Sequence, residues 1–219
     1  MRIADYAQFN SAHRIPFQQL VYGGLCAGFG DTLTYVNIIR HFFSVTSIPL
    51  HLSRWSVKDG KDRLKLFKEI LSVFKLEQIC KLTNQAPTAN LDHLNPLVTR
   101  NIISAPITFL RSPVVWKKTN SNIITYQFDA FSFSNLKAPS STDLNYLYEA
   151  AQGYQFLRLG KHLSITKNLE RLAKSACFIG IDSGISQLAY SVGVPVFLMR
   201  NGHFFSPNHA PHMKRKAII

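Results

Sequence analysis

The sequence predicts an α/β protein built of two αβ halves that face each other across a cleft. Three observations carry that expectation. Short apolar runs alternate with amphipathic stretches along most of the chain, the pattern of parallel βαβ units. The stretch Cys177 to Arg200, CFIGIDSGISQLAYSVGVPVFLMR, reads as a buried strand, a tight turn, a helix and a second buried strand joined by very short connections. A polar run with a proline, Arg111 to Asn122, separates an N-terminal series of elements from a C-terminal one.

Taken in order, Gln18–Cys26 opens with a short apolar run and enters a glycine-rich turn from Gly23 to Gly30. Asp31 to Phe43 carries Leu33, Val36, Ile39 and Phe43 close to helical spacing, and Ile48 to Leu52 reads as a strand. Lys61 to Lys75 predicts an amphipathic helix, with Leu64, Phe67, Ile70, Leu71 and Phe74 on one stripe and lysines opposite. Residues 83–101 read as loop, and Ile102 to Leu110 as a last strand of the first half. With Arg111–Asn122 as a linker, the halves run over 1–115 and 116–219. The second half then predicts strand Ile123–Phe128, helix Asp143–Gln152, strand Tyr154–Leu159, helix Ile165–Lys174 and strand Cys177–Ile181. The turn Asp182-Ser183-Gly184 starts the next helix, and Pro195–Met199 forms the last strand.

Composition sets bounds on function. The chain has 219 residues, 46% of them hydrophobic, which is ample for a core. No apolar run reaches the length of a membrane span, and the N-terminus lacks the apolar centre of a secretory signal. Cys26, Cys80 and Cys177 form no CxxC or Cys/His cluster, so neither a disulfide framework nor structural zinc is expected, and the setting reads as reducing and cytoplasmic. The net charge of +13 arises from 25 Lys and Arg against only 12 Asp and Glu. Such a field favours anionic partners: nucleotide diphosphates, nucleic acid or an anionic membrane surface. A solvated basic face with no single partner explains it equally well.

The turns carry the candidate chemistry. The glycine-rich turn has no GxGxxG match and no Gly-Lys-Ser/Thr, and the next acidic residue after Asp31 is Asp59, so a dinucleotide enzyme and a P-loop are both disfavoured. Asp31 is the one acidic residue between Asp5 and Asp59 and directly follows glycines at a predicted helix start. It reads either as a helix cap or as a carboxylate at the cleft mouth. Asp182-Ser183-Gly184 likewise reads as a cap, or as an anion site where backbone N–H groups at a helix N-terminus point outward. Lys137 and Lys161 stand in loops that follow predicted strands, and Asp129 ends one of those strands. The histidines form no ligand pattern, so no metal site is expected.

These residues also carry a resemblance. FIGIDSGISQLAYSVGVPVFL resembles the donor-binding segment of heptosyltransferase-like glycosyltransferases with the GT-B fold, where a strand, an Asp-Ser/Thr-Gly turn and a helix hold the nucleotide-sugar diphosphate. LGKHLSITKNLERLAKSA resembles the stretch that leads into it, and GFGDTLTYVNIIR resembles the family's N-terminal Gly-Asp motif. The three cover about a quarter of the chain. The resemblance implies two Rossmann-like halves, Asp31 as catalytic base, and Asp182, Ser183, Gly184 and Ile185 as the donor-phosphate turn. Gln187 joins the donor site where many members have His, which leaves the sugar open. Lys137 would neutralise the diphosphate, with Gly28, Gly30, Asp129 and Lys161 as further cleft residues. The chain is short for the family, so each half is expected to be trimmed by one or more βα units.

On this reading the chain is a glycosyltransferase that moves a sugar from a nucleotide-diphosphate sugar to a hydroxyl of a glycan, a lipid-linked or a protein acceptor. It would work without metal or cofactor, by a single inverting displacement, in the cytoplasm and with room for peripheral membrane contact. The rivals are a basic nucleic-acid-binding module and a non-catalytic nucleotide-sugar-binding protein. Dispersed rather than clustered bases disfavour nucleic acid as a partner.

Overall fold

A computed structural model describes residues 21–23, 29–53, 57–58, 61–62, 64–90, 110–118, 120–129 and 138–199. The chain divides into two compact units, Met1–Thr108 and Phe109–Ile219. Each is an α/β unit whose main sheet is parallel.

In the first unit the short apolar runs become strands β1 (Val21–Gly23), β2 (Leu50–Ser53), β5 (Cys80–Thr83) and β6 (Ala89–Asn90), ordered β5-β2-β1-β6. Helix α1 (Phe29–Thr46) follows β1 and helix α2 (Leu64–Phe74) precedes β5. Helical spacing brings Leu33, Val36 and Ile39 of α1 inward, and Phe67, Ile70, Leu71 and Phe74 of α2 join them over Leu50 and Leu52. Burial of Phe67 alone, with no exposed surface, is worth about 1.5–3 kcal/mol.

Several elements differ from the sequence reading: α1 begins two residues before Asp31 and runs on to Thr46, β2 is shifted to Leu50–Ser53, and β6 lies within the stretch 83–101 read as loop. The expected helix from Lys61 starts at Leu64, because Lys61–Asp62 (β4) pairs antiparallel with Val57–Lys58 (β3). The sequence between them, Asp59-Gly60, is a favoured two-residue hairpin dipeptide. Helix α2 ends in a Schellman arrangement: Leu76 N–H donates to the Leu71 carbonyl at 2.8 Å and Lys75 N–H to Ser72 at 3.1 Å. Lys75 takes the left-handed position, φ 56°, that glycine usually holds.

In the second unit the order is β10-β9-β7-β8, from β7 (Ile123–Gln127), β8 (Gln155–Arg158), β9 (Cys177–Gly180) and β10 (Val196–Leu198). Helices α3 (Ser141–Ala150), α4 (Ile165–Lys174) and α5 (Gly184–Val192) connect them. Each starts on a serine whose hydroxyl accepts a first-turn N–H: Ser140, Ser164 and Ser183. Leu169 and Leu172 of α4 and Leu188 and Val192 of α5 are buried together with Phe178, Val196 and Leu198 of the strands.

Part of the stretch read as a linker is anchored to this unit. The last carbonyls of a helix have no intrahelical partner; those of Ser191 and Val192 accept from the N–H of Ser112 and Trp116, both at 3.0 Å. The Trp116 indole N–H donates to the Ser175 carbonyl at 2.8 Å. The expected strand Ile102–Leu110 lies outside the described residues except for Leu110, which is buried. Among the described residues no helix is long and apolar enough to cross a membrane.

Candidate functional site

The order of the second sheet fixes where a ligand fits. From β7 the chain passes to β8 on one side, while β9 and β10 lie on the other, so the connections leaving β7 and β9 diverge at their carboxyl ends. A crevice opens at such a switch point. Its two walls approach closely because position 180 has no side chain. A Cβ on Gly180 would lie 2.5 Å from the Phe178 ring and 2.7 Å from the Gln127 carbonyl oxygen.

Directly after β9 the chain turns through Asp182 and Ser183 into α5. Ser183 is extended, φ −156°, and its hydroxyl accepts from Ser186 N–H while the Ser186 hydroxyl accepts from Ser183 N–H at 3.1 Å. This reciprocal box caps the helix. The Ser183 hydroxyl also donates to Gln127 Oε1 at 2.6 Å, which ties the end of β7 to the start of α5. Gly184 and Ile185 are the first two helical residues, whose N–H groups have no intrahelical acceptor. Those two amides and the helix dipole give this turn a polarity that favours negative charge.

The turn residues are not equivalent. Asp182 is 5% exposed, and its charge reaches the Tyr190 hydroxyl one and a half turns along α5. Burial, reinforced by Asp182, pushes Tyr190 up to about 12. Ser183, Gly184 and Gln187 are half-buried, Ile185 is buried, and Gln187 N–H makes the first helical bond, 3.3 Å to the Ser183 carbonyl. Asp129 stands two residues beyond Gln127 and pairs with Arg158 at 3.3 Å, both more than half exposed. Lys161 and His162 are exposed on the loop after β8. That loop is held by a residue the sequence analysis missed: Asn168, 2% exposed, accepts from Gly160 N–H and donates to the carbonyls of Gly160, Leu163 and Ser164. A lone Asn inside an amphipathic helix was the available signal. Neither described cysteine is primed as a nucleophile, since burial pushes the Cys80 thiol up to about 12 and also raises that of Cys177.

In the first unit Asp31 is the third residue of α1, the helix that follows β1 at the switch point between β1 and β6. The Gly30 carbonyl accepts from the Thr34 hydroxyl at 3.1 Å. Gly28 and Lys137 lie outside the described residues. Among the described residues no three His, Cys, Asp or Glu side chains group as a metal-ligand set.

No known protein family matches the sequence, and no curated protein does. Among the solved structures that resemble the fold are two of one protein. One is the bacterial iron-containing dodecameric glycosyltransferase TibC from enterotoxigenic E. coli H10407, at TM-score 0.49 and 13% identity over 85% of this chain and 60% of that one. The other is the dodecameric iron-containing heptosyltransferase TibC in complex with ADP-D-β-D-heptose, at TM-score 0.52 and 13% identity over 87% of this chain. The second likeness shows a shared α/β fold. The chain spans 62% of that structure's length.

Proposed function

We propose that the chain is a glycosyltransferase that takes its sugar from a nucleotide-diphosphate donor. The observation that carries this reading is the N-terminus of α5, with the Gly184 and Ile185 amides at the switch point of a parallel sheet. The fold shared with a structure that binds ADP-D-β-D-heptose supports it. Asp31 would take the proton from an acceptor hydroxyl, which attacks the anomeric carbon in a single displacement and inverts it. The departing diphosphate carries the developing charge. Preorganised N–H groups of Gly184 and Ile185, with Lys137, would stabilise it there. Ser183 would hold the turn and Gln187 would line the sugar end, while Gly30 and Lys161 remain candidates for the rims. No step is routed through a metal or cofactor. A glycan, a lipid-linked or a protein hydroxyl would accept the sugar, and the basic charge would favour the anionic donor or an anionic membrane surface. A cytoplasmic site of action belongs to the same proposal.

Calorimetric titration with ADP, with and without EDTA, tests the core of it. Micromolar-to-millimolar binding of equal strength in both buffers is expected. Binding that vanishes with EDTA overturns the metal-free reading. Failure of ADP, UDP and inorganic pyrophosphate alike to bind overturns the anion site itself.

A further inference from the structure

We propose that Gln127 is a side-chain ligand of the donor diphosphate, reaching across the crevice from β7 to complete the anion site begun by the α5 amides. The inference rests on the anion-site reading above. It starts from an incomplete hydrogen-bond account. Gln127 is 6% exposed, yet its carboxamide makes one bond, from the Ser183 hydroxyl to Oε1; its Nε2 has no partner among the described residues. A carboxamide offers two N–H donors, and those of Gln127 are spent on no protein acceptor among the described residues.

Which end of the amide faces Ser183 follows from the length of the contact. At 2.6 Å it has the separation of an O–H···O bond and is too short for N–H···O. Ser183 Oγ already accepts from Ser186 N–H, so its proton is free to go to Gln127 Oε1. With Oε1 held there, the oxygen cannot turn toward an anion, and the N–H donors are what the carboxamide has left to offer. Register agrees with this. Gln127 is level with Gly180, so both lie on the sheet face that carries Phe178, and the bare position 180 lets the Phe178 ring tip and the Gln127 backbone carbonyl close in beside it. The amide thus sits beside the helix cap, with Ser183 between it and the Gly184 and Ile185 N–H groups. Three neutral donors from two elements would then converge on one phosphate, adding to the charge that Lys137 would supply.

The test is the affinity of the full chain for inorganic pyrophosphate and for ADP, compared between wild type and Gln127→Glu. Glu has the same shape and can still accept from Ser183, but it places a carboxylate where the amide donors stood. At pH 7.5 its affinity is expected to fall by about 10- to 100-fold. As pH falls to about 4, through the ordinary glutamate range at about 4.3, the carboxyl takes up a proton and becomes neutral, so the ratio of variant to wild-type dissociation constants should shrink. The other titrating or charged groups nearby are Asp182, Tyr190, the Asp129–Arg158 pair, Lys161 and His162, and they are common to both proteins. The ratio therefore isolates position 127. Gln127→Met serves as a second variant should Glu prevent folding, with an expected loss of about tenfold. Wild-type binding with unchanged affinity in the folded variants overturns the role of Gln127 alone. A weakening that ignores pH assigns Gln127 to structure and overturns it too. No binding by wild type overturns the anion-site reading and this inference together.

Discussion

Of Gly153, Gly160, Gly180 and Gly193, Gly180 should be the one least able to accept a methyl for want of space. Gly180 ends β9 with no positive φ, so the backbone itself would accept alanine. Space would not. The new methyl would lie 2.5 Å from Cζ of Phe178 and 2.7 Å from the Gln127 carbonyl oxygen, against the roughly 3.5–4.0 Å at which carbon atoms rest. A ring tip could step aside on a surface, but Phe178 is fully buried, and a strand carbonyl moves only with its strand. β7 and β9 must therefore part where Ile181 N–H reaches Gln127 at 3.2 Å and Ser183 reaches it at 2.6 Å. Overpacking of this kind costs about 1–3 kcal/mol. The anion site should loosen with it.

Gly153 supplies the control. Its φ is +87° and a Cβ there would meet nothing within 4 Å, so Gly153→Ala should cost about 1 kcal/mol from backbone strain alone. Asn tolerates left-handed backbone, so Gly153→Asn should be milder than Gly153→Ala, whereas Gly180→Asn should be worse than Gly180→Ala. Urea unfolding followed by circular dichroism measures all four, and pyrophosphate titration of the folded variants reads the site. A Gly180→Ala protein within about 0.5 kcal/mol of wild type, or an Asn that beats Ala at position 180, would refute the close-approach account.

Two further outcomes follow from the proposed chemistry and from the buried hydroxyl. Asp31→Asn keeps the size and hydrogen-bonding oxygen of the side chain in the first turn of α1 but loses basicity, so sugar transfer to an identified acceptor should fall by about 10²–10⁴-fold with ADP affinity nearly unchanged and melting temperature little lowered; near-wild-type transfer would remove Asp31 from the mechanism. Tyr190, pushed up from 10.0 to about 12, keeps its proton in the folded state over a range where the unfolded chain has lost it. Stability should therefore be intact below pH 10 and decline between about 10 and 12. Tyr190→Phe should show a smaller alkaline decline in urea unfolding, and an identical one would show that this hydroxyl does not titrate late.

Much of the second unit was legible because its elements are locally determined. Helix Ile165–Lys174 is found at the residues its periodicity indicated, and the strands differ by a residue or so at their ends. The Asp182-Ser183-Gly184 turn was equally visible, since a serine cap and a glycine are local signals. The hold on residues 110–118 was not. It comes from orphan carbonyls at the end of α5 and from Ser175, Trp116 being 59 positions away from the latter. Asn168 was missed for a related reason: an Asn in a helix weakens the local pattern, and only the loop folded back over it supplies its four partners.

Strand β7 shows how a local pattern can point away from a site. Its residues alternate, with Thr125 and Gln127 on one face and Ile124, Tyr126 and Phe128 on the other. Read as a half-buried strand, the polar pair would face water. The structure buries it: Thr125 has no exposed surface and Gln127 has 6%, whereas Tyr126 and Phe128 are half-buried. The aromatic face is covered in part by α3, whose Tyr148 ring meets Phe156 edge-on at 4.9 Å, with Tyr126 against Phe156 at 6.0 Å. The polar face can be buried because each hydroxyl or amide there has a particular task. Thr125 bonds Ser175 and the Cys177 carbonyl, both at 3.1 Å, and so binds β7 to the start of β9. Gln127 does the same at the other end of those strands through Ser183, which stands 56 residues away in sequence. Thr125 is thereby satisfied and Gln127 only in part. The donors left over on Gln127 stand at the carboxyl end of the sheet, where the proposed diphosphate would lie.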